Sequence, residues 1–299
     1  MRCHWCLYFC IDVFIVGVCL SIVVLCPVGT SLLSNFARCS EFRDVVKRYG
    51  VTDWHRLSLD DPRNRFPDGE VCSVTRGHEV FECLKSFVGK YDVKSCAELS
   101  GLNAICELYR FGLRDARVVL LPTQSCNSLL CARVLKDYLE PRVRGVEVVV
   151  LRSARSVDDF ENFVLEVLDK VVRRVVSEKK RGCRVFINAT PGFKAEVSFM
   201  VLASILAGVD GVVYIHEAFS RGVSLPIPLL KLDMDSVEML LKVFGDLECV
   251  DYGYALQQLD EYRIVEYIDR GIAYRKGPEL CLRSWVRKLV EVYGGACNG

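Results

Sequence analysis

Short runs of β-branched and aliphatic residues recur along the chain, each followed by a turn and then by helical periodicity. SIVVLC (21–26), ARVVLL (116–121), VEVVVL (146–151), CRVFIN (183–188) and GVVYIH (211–216) are continuous apolar runs. Strands buried on both faces read this way. Between them, the spacing of apolar positions predicts helices over 32–49, 79–90, 95–111, 129–139, 158–176 and 194–207. This alternation implies an α/β fold: a Rossmann-like, mainly parallel sheet with helices on both faces. GVSLPIPLL (222–230) reads as a last edge strand, because its two prolines would spoil a central one. The polar stretch 50–74, rich in Asp, Arg and Pro, reads as a surface excursion.

The pattern changes near Asp233. Helices are expected over 236–244 and 252–261. Short strands over 263–268 and 272–276, joined by Asp-Arg-Gly, make a hairpin, and a closing helix follows over 279–293. Helix, helix, wing and helix outline a small C-terminal winged helix-turn-helix domain. The expected division is therefore an apolar extension over 1–20, a ligand-binding domain over 21–230 and a winged-helix-like domain over 233–299.

Residues 5–25 are almost wholly apolar, broken by Asp12, and could be read as a signal anchor. Only Arg2 supplies a positive flank, and 21–26 already reads as a buried strand. The expectation is a start codon assigned too early, with the protein beginning near Leu20 or Ser21, no membrane attachment and a cytoplasmic location.

Composition narrows the function. Of 299 residues, 51% are hydrophobic, and 39 Lys and Arg nearly cancel 38 Asp and Glu. A globally basic nucleic-acid coat is excluded, so an anionic ligand needs a local site. Sixteen cysteines are many, but only Cys3 and Cys6 form a C-x-x-C, and no second pair has zinc-ribbon spacing. Most are expected to be small core residues, and no metal or cofactor is expected. A cytosol that tolerates disulfides, as in some hyperthermophiles, would also suit this usage.

The chemistry sits in three loops that leave strand ends. They are 27–31 with Gly29, Thr30 and Ser31; 122–125 with Thr123, Gln124 and Ser125; and 188–194 with Asn188, Thr190, Gly192, Phe193 and Lys194. Ligands of open α/β sheets bind beyond the carboxyl ends of the strands. Glycine lets backbone N–H groups approach an anion, and the next helix start adds positive potential. Lys194 on a first helical turn opposes the helix dipole, which suggests a task other than stability. The bland alternative is a capped helix with a solvated lysine.

Other sites are ruled out. Residues 29–35, GTSLLSN, lack the Walker spacing, and no G-x-G-x-x-G follows the first strand. Ser31 has no evident His and acid partners for a triad among His4, His55, His78 and His216. His216 ends a strand and could reach the site, although a satisfied strand-end histidine is the commoner case.

The motifs GTSLLSN (29–35) and NATPGFK (188–194), with VVLLPTQSCNSLLCARVL (118–135) and SCAELSGLNAICEL (95–108), resemble the CRISPR-associated Rossmann fold family. The resemblance covers about 20–230. It implies a homodimer that binds cyclic oligoadenylate, most often the tetra-adenylate, across its two-fold axis. The ribonuclease output of many members needs an R-x(4–6)-H motif, and no histidine follows His216. The chain resembles the archaeal ring nucleases of that family. These open the ring without metal, a ribose 2′-OH attacking the adjacent phosphorus. On that resemblance Lys194 neutralises the phosphorane and Ser31 orients the attacked phosphate or the 2′-OH. Gly192 and Phe193 supply N–H donors, while Gln124 and Ser125 line an adenine or ribose pocket. Asn188 and Thr190 either contact ligand or tie the loop to its strand. The middle loop lacks the acidic Ser-Asp-Thr type sequence of relatives. A ligand-gated transcription regulator is the alternative. Its DNA contacts would come from Arg263, Arg270, Arg275, Lys276, Arg283, Arg287 and Lys288, nearly balanced by Asp260, Glu261, Glu266, Asp269, Glu279 and Glu291.

Overall fold

A computed structural model describes residues 21–152, 157–192, 194–216, 221–228, 230 and 233–297. The extension over 1–20, including Cys3, His4, Cys6 and Cys10, lies outside the described residues. No helix among the described residues is long and apolar enough to cross a membrane.

The strands are β1 (Ile22–Val28), β2 (Ala116–Pro122), β3 (Gly145–Val148), β4 (Arg184–Asn188), β5 (Gly211–His216) and β6 (Arg221–Leu225). They form one sheet in the order β3-β2-β1-β4-β5-β6. All neighbours are parallel except β5 and β6, which are antiparallel. The edge strand stops before Pro226 and Pro228, as its prolines require. The third strand is shorter than expected, although Leu151 still bridges Thr123 beyond it.

The helices are α1 (Ser31–Arg38), α2 (Arg43–Arg48), α3 (Glu70–Ser73), α4 (Glu79–Tyr91), α5 (Ala97–Tyr109), α6 (Cys126–Leu139), α7 (Val157–Glu166), α8 (Arg173–Lys180) and α9 (Lys194–Leu206). The helix expected over 32–49 is broken, with a 3-10 turn at Ser40–Phe42 between its two pieces. The one expected over 158–176 runs on to Lys180 through a π segment at Val167–Val172.

Strand β1 shows why both faces carry helices: all seven of its residues are buried. Val24, Cys26 and Val28 face a core shared with Phe36, Leu84, Ile105 and Leu130. Val23 and Leu25 face the opposite core, shared with Phe163, Val171, Met200 and Leu289. The period-2 alternation of a strand therefore feeds two layers. Residues 50–74 are more than a surface excursion, since Val51, Trp54, Val71, Cys72 and Val74 are buried.

The C-terminal part has its own core of Leu240, Phe244, Ile264, Tyr267 and Leu280. It comprises α10 (Met234–Phe244), β7 (Cys249–Asp251), α11 (Tyr252–Gln258), α12 (Glu261–Asp269), β8 (Ala273–Lys276), β9 (Glu279–Leu282) and α13 (Ser284–Cys297). The strands pair antiparallel in the order β7-β9-β8. This corrects two expectations. Residues 263–268 are helical, because Ile264, Tyr267 and Ile268 recur at helical spacing toward this core and Asp260 caps Arg263 N at 2.8 Å. The hairpin is instead β8–β9, and the closing helix starts at Ser284 rather than at 279.

Helix α13 joins the two parts. Its Val286 packs in the C-terminal core, while Leu289, Val292 and Tyr293 pack under the large sheet. Glu161 of α7 accepts from Ser284 N at 2.9 Å and from Arg283 Nη1 at 3.1 Å. Cys72–Cys126 and Cys249–Cys281 are disulfides, whereas Cys26, Cys96, Cys131 and Cys183 are buried free thiols, as expected of core cysteines.

Candidate functional site

The strand order reverses between β1 and β4: β2 and β3 lie on one side of the pair, β5 and β6 on the other. The chain beyond β1 therefore runs on toward β2 and that beyond β4 toward β5, on opposite sides, which leaves a crevice at the carboxyl edge of the sheet. A cavity of about 620 Å³ occupies it. Of the residues expected from sequence, Gly29, Thr30, Ser31, Thr123, Ser125, Thr190 and Gly192 line this cavity.

Two glycines bring the loops together. A side chain at Gly29 would place its Cβ 3.2 Å from Gly192 N. Gly192 has φ +104°, and its own Cβ would meet Val197 at 2.7 Å and Pro27 at 3.2 Å. Only glycine suits a left-handed turn this crowded. Helix α9 starts just beyond, with its positive end toward the loop.

The remaining expected residues are placed differently. Lys194 is exposed on the first turn of α9 and does not line the cavity. Gln124 is half-buried and does not line it either. Asn188 is fully buried beneath the floor. It donates to Glu98 O at 3.0 Å and accepts from Thr190 N at 3.2 Å, which ties β4 to α5. Thr190 Oγ1 accepts from Ile215 N at 3.0 Å and so fastens the loop to β5. Phe193 and the side chain of His216 lie outside the described residues.

Glu98, on α5, is the principal residue missed by the sequence reading. Its side chain is buried and accepts from Gly29 N at 2.8 Å and from Ser31 Oγ at 3.1 Å. No ion pair neutralises it among the described residues. Ser31 Oγ also accepts from Ala97 N at 3.0 Å. A hydroxyl has one donor and two lone pairs, so Ser31 retains a single lone pair. It can accept one more hydrogen bond, but it has no second hydrogen to donate. Glu98 also acts at a distance: together with burial, its charge pushes the thiols of Cys26 and Cys131 up, away from reactivity.

The middle loop is closed by its own side chains. Asn64, buried in the 50–74 segment, accepts from Asn127 N at 2.8 Å, and Asn64 O accepts from Cys126 N at 3.1 Å. Asn127 Oδ1 accepts from Ser128 N at 2.8 Å and from Ser125 Oγ at 2.8 Å. The start of α6 is thus satisfied internally rather than held open for an anion. The same segment brings His55, Leu57 and Leu59 to the cavity wall, and Thr30 Oγ1 donates to His55 O at 3.0 Å. Burial, then Arg56 and Arg38, hold the His55 imidazole below its ordinary pKa of 6.5, against a smaller opposing effect of Asp53.

A second trough of about 790 Å³ adjoins the cavity through Ser100 and Ile215 and carries Lys94 and Arg221. Among the described residues, the only grouping with metal-ligand potential is Cys249, Glu279 and Cys281, where the two cysteines are bonded to each other.

With this geometry in view, residues 93–228 match the model of a CRISPR-associated protein family, Cas_APE2256. The matched stretch spans α5 through the end of the large sheet. It contains Glu98, the middle loop and the Gly192 loop, and it stops before the C-terminal part.

Proposed function

We propose that this chain is a CRISPR-associated ring nuclease that binds cyclic oligoadenylate and opens it by metal-independent 2′-OH attack. One observation carries the reading: the Gly29–Ser31 loop meets the Asn188–Lys194 loop across the point where strand order reverses, and the second of these loops lies in the stretch that matches a CRISPR-associated family. A cavity of about 620 Å³ takes only part of a four-nucleotide ring, which supports two copies of the site facing each other across a homodimer axis.

The hydrogen bonds of Ser31 favour one of its two roles. Its hydrogen is committed to Glu98, so it is suited to receive a ribose 2′-OH rather than to donate to phosphate. As the 2′-oxygen bonds to phosphorus, its proton passes to Ser31 Oγ, whose own proton passes to Glu98. The P–O5′ bond breaks and the 5′-oxygen takes a proton from solvent. The products are di-adenylates with a 2′,3′-cyclic phosphate and a 5′-hydroxyl. Holding the 2′-oxygen in line with the leaving oxygen supplies much of the rate. The start of α9 offsets charge on the phosphorane, and Lys194 on its first turn adds positive potential from outside the cavity.

The C-terminal part supports a second reading, a winged-helix regulator. Its order of helix, strand, two helices, hairpin and helix supports that reading, in which the second paired helix would be α12 rather than 252–261. That shift brings Arg263 onto the element that would enter a groove and Arg270 to its C-terminal end. Both stay close to carboxylates: Arg270 pairs with Glu266 at 2.6 Å and Arg263 approaches Asp260 at 3.6 Å. Counterion release favours a clear basic excess, so this reading ranks second.

The test is to incubate the purified full chain with cyclic tetra-adenylate in EDTA and resolve the products. Conversion to di-adenylate supports the ring nuclease. Tight binding without turnover, joined to salt-sensitive DNA binding, replaces it with the regulator.

A further inference from the structure

The cavity poses a charge problem for any phosphodiester. Among its described lining residues there is no lysine or arginine, and Lys194 stands outside it. Glu98 lies under the floor with no ion pair among the described residues, held by Gly29 N and Ser31 Oγ. Among the described lining side chains, the one able to become a cation is His55. Its backbone is fixed beside the first loop by the Thr30 hydroxyl.

The imidazole is set up to change state. Nδ1 is buried and has no hydrogen-bond partner. Adding a proton with no anion beside it would charge a ring flanked by Arg56 on its own turn and Arg38 on α1. Asp53 offsets this little, since it is itself paired with Arg63 at 3.1 Å. A phosphate oxygen in the cavity reverses the balance by giving the imidazolium an opposite charge and an acceptor.

We propose that His55 is the phosphate-holding cation of this site, taking up a proton as a phosphodiester enters and donating a ring N–H to one of its anionic oxygens. The proposal rests on the cavity being a phosphodiester site, and it adds a binding residue from a segment far from the three strand-end loops. It also gives the site a pH dependence. Affinity falls as pH rises from about 6 to 8, because binding must then draw a proton from solvent.

The test follows the histidine C2 protons of the full chain by NMR, with and without cyclic tetra-adenylate carrying 2′-O-methyl groups that block cleavage. There are only four histidines, and H55Q identifies the resonance, checked by elimination with H4Q, H78Q and H216Q. The expected result is a His55 pKa below 6.5 in the free protein that rises to about 7 or above in the complex. If the other resonances respond to the ring while the pKa of His55 stays below 6.5, the His55 proposal is overturned and the phosphodiester reading stands. If no resonance responds to the ring at any pH, both are overturned.

Discussion

The Ser31 hydroxyl points its hydrogen at the buried carboxylate of Glu98, 3.1 Å away, and the other oxygen of that carboxylate holds Gly29 N. One side chain from α5 thus sets both the shape of the first loop and the direction of the serine. Replacing it with glutamine keeps the volume but turns one acceptor into a donor. Glu98→Gln is expected to cost about 1–3 kcal/mol of stability, read as a shift in the denaturant midpoint. Ring cleavage should fall more than ring binding, because the proton acceptor behind Ser31 is lost while the cavity wall remains.

Gly192 is expected to be intolerant of any side chain. With φ at +104° and a Cβ position 2.7 Å from Val197, Gly192→Ala should cost about 1–3 kcal/mol. It should also weaken ligand binding, since the α9 start would shift. Thermal denaturation and isothermal titration on the same preparation measure the two effects.

Asn188 was a candidate ligand contact, but its side chain is spent on Glu98 O and Thr190 N. Asn188→Ala leaves Thr190 N without its acceptor and removes the tie from β4 to α5, and should destabilise by about 1–3 kcal/mol. Variants that still fold should show a loosened Gly192 loop, visible as faster amide hydrogen exchange at Thr190 and Ile215.

The contact between the large sheet and the C-terminal part is pH-dependent through Glu161. Burial alone would raise its pKa, but hydrogen bonds from Ser284 and Arg283 outweigh burial and hold the carboxyl below its ordinary 4.5. A carboxyl depressed in the fold stabilises it above the unfolded pKa, and this contribution is lost as pH falls through the folded value. Glu161→Gln should therefore lower stability at neutral pH and flatten the loss seen between about pH 5 and 3. Denaturation midpoints across that range check both parts.

Much of the large sheet was legible in the sequence because each parallel strand is a continuous apolar run. The loops after β1 and β4 were legible because glycine and hydroxyl residues punctuate those runs. Glu98 was not, since nothing local distinguishes a helix glutamate that faces inward from one that faces solvent. His55 and Asn64 were missed for a related reason: 50–74 looks polar, and only tertiary packing turns Asn64 into a clasp on Asn127 of α6. Helix α12 was misread because Ile264, Val265 and Ile268 are β-branched, a strand signal that its helical spacing overrides. Lys194 was identified from its position on a helix start, but position in sequence did not show that it lies outside the cavity.

The central claim is that the two glycine loops form one phosphodiester site. The most direct measurement is a crystal structure of Lys194→Ala, slowed in cleavage, with cyclic tetra-adenylate. The account predicts a ribose 2′-oxygen within about 2.6–3.2 Å of Ser31 Oγ and the adjoining phosphate at the start of α9. A ring bound away from Ser31 and Gly192, or a protein that binds no ring, would contradict it.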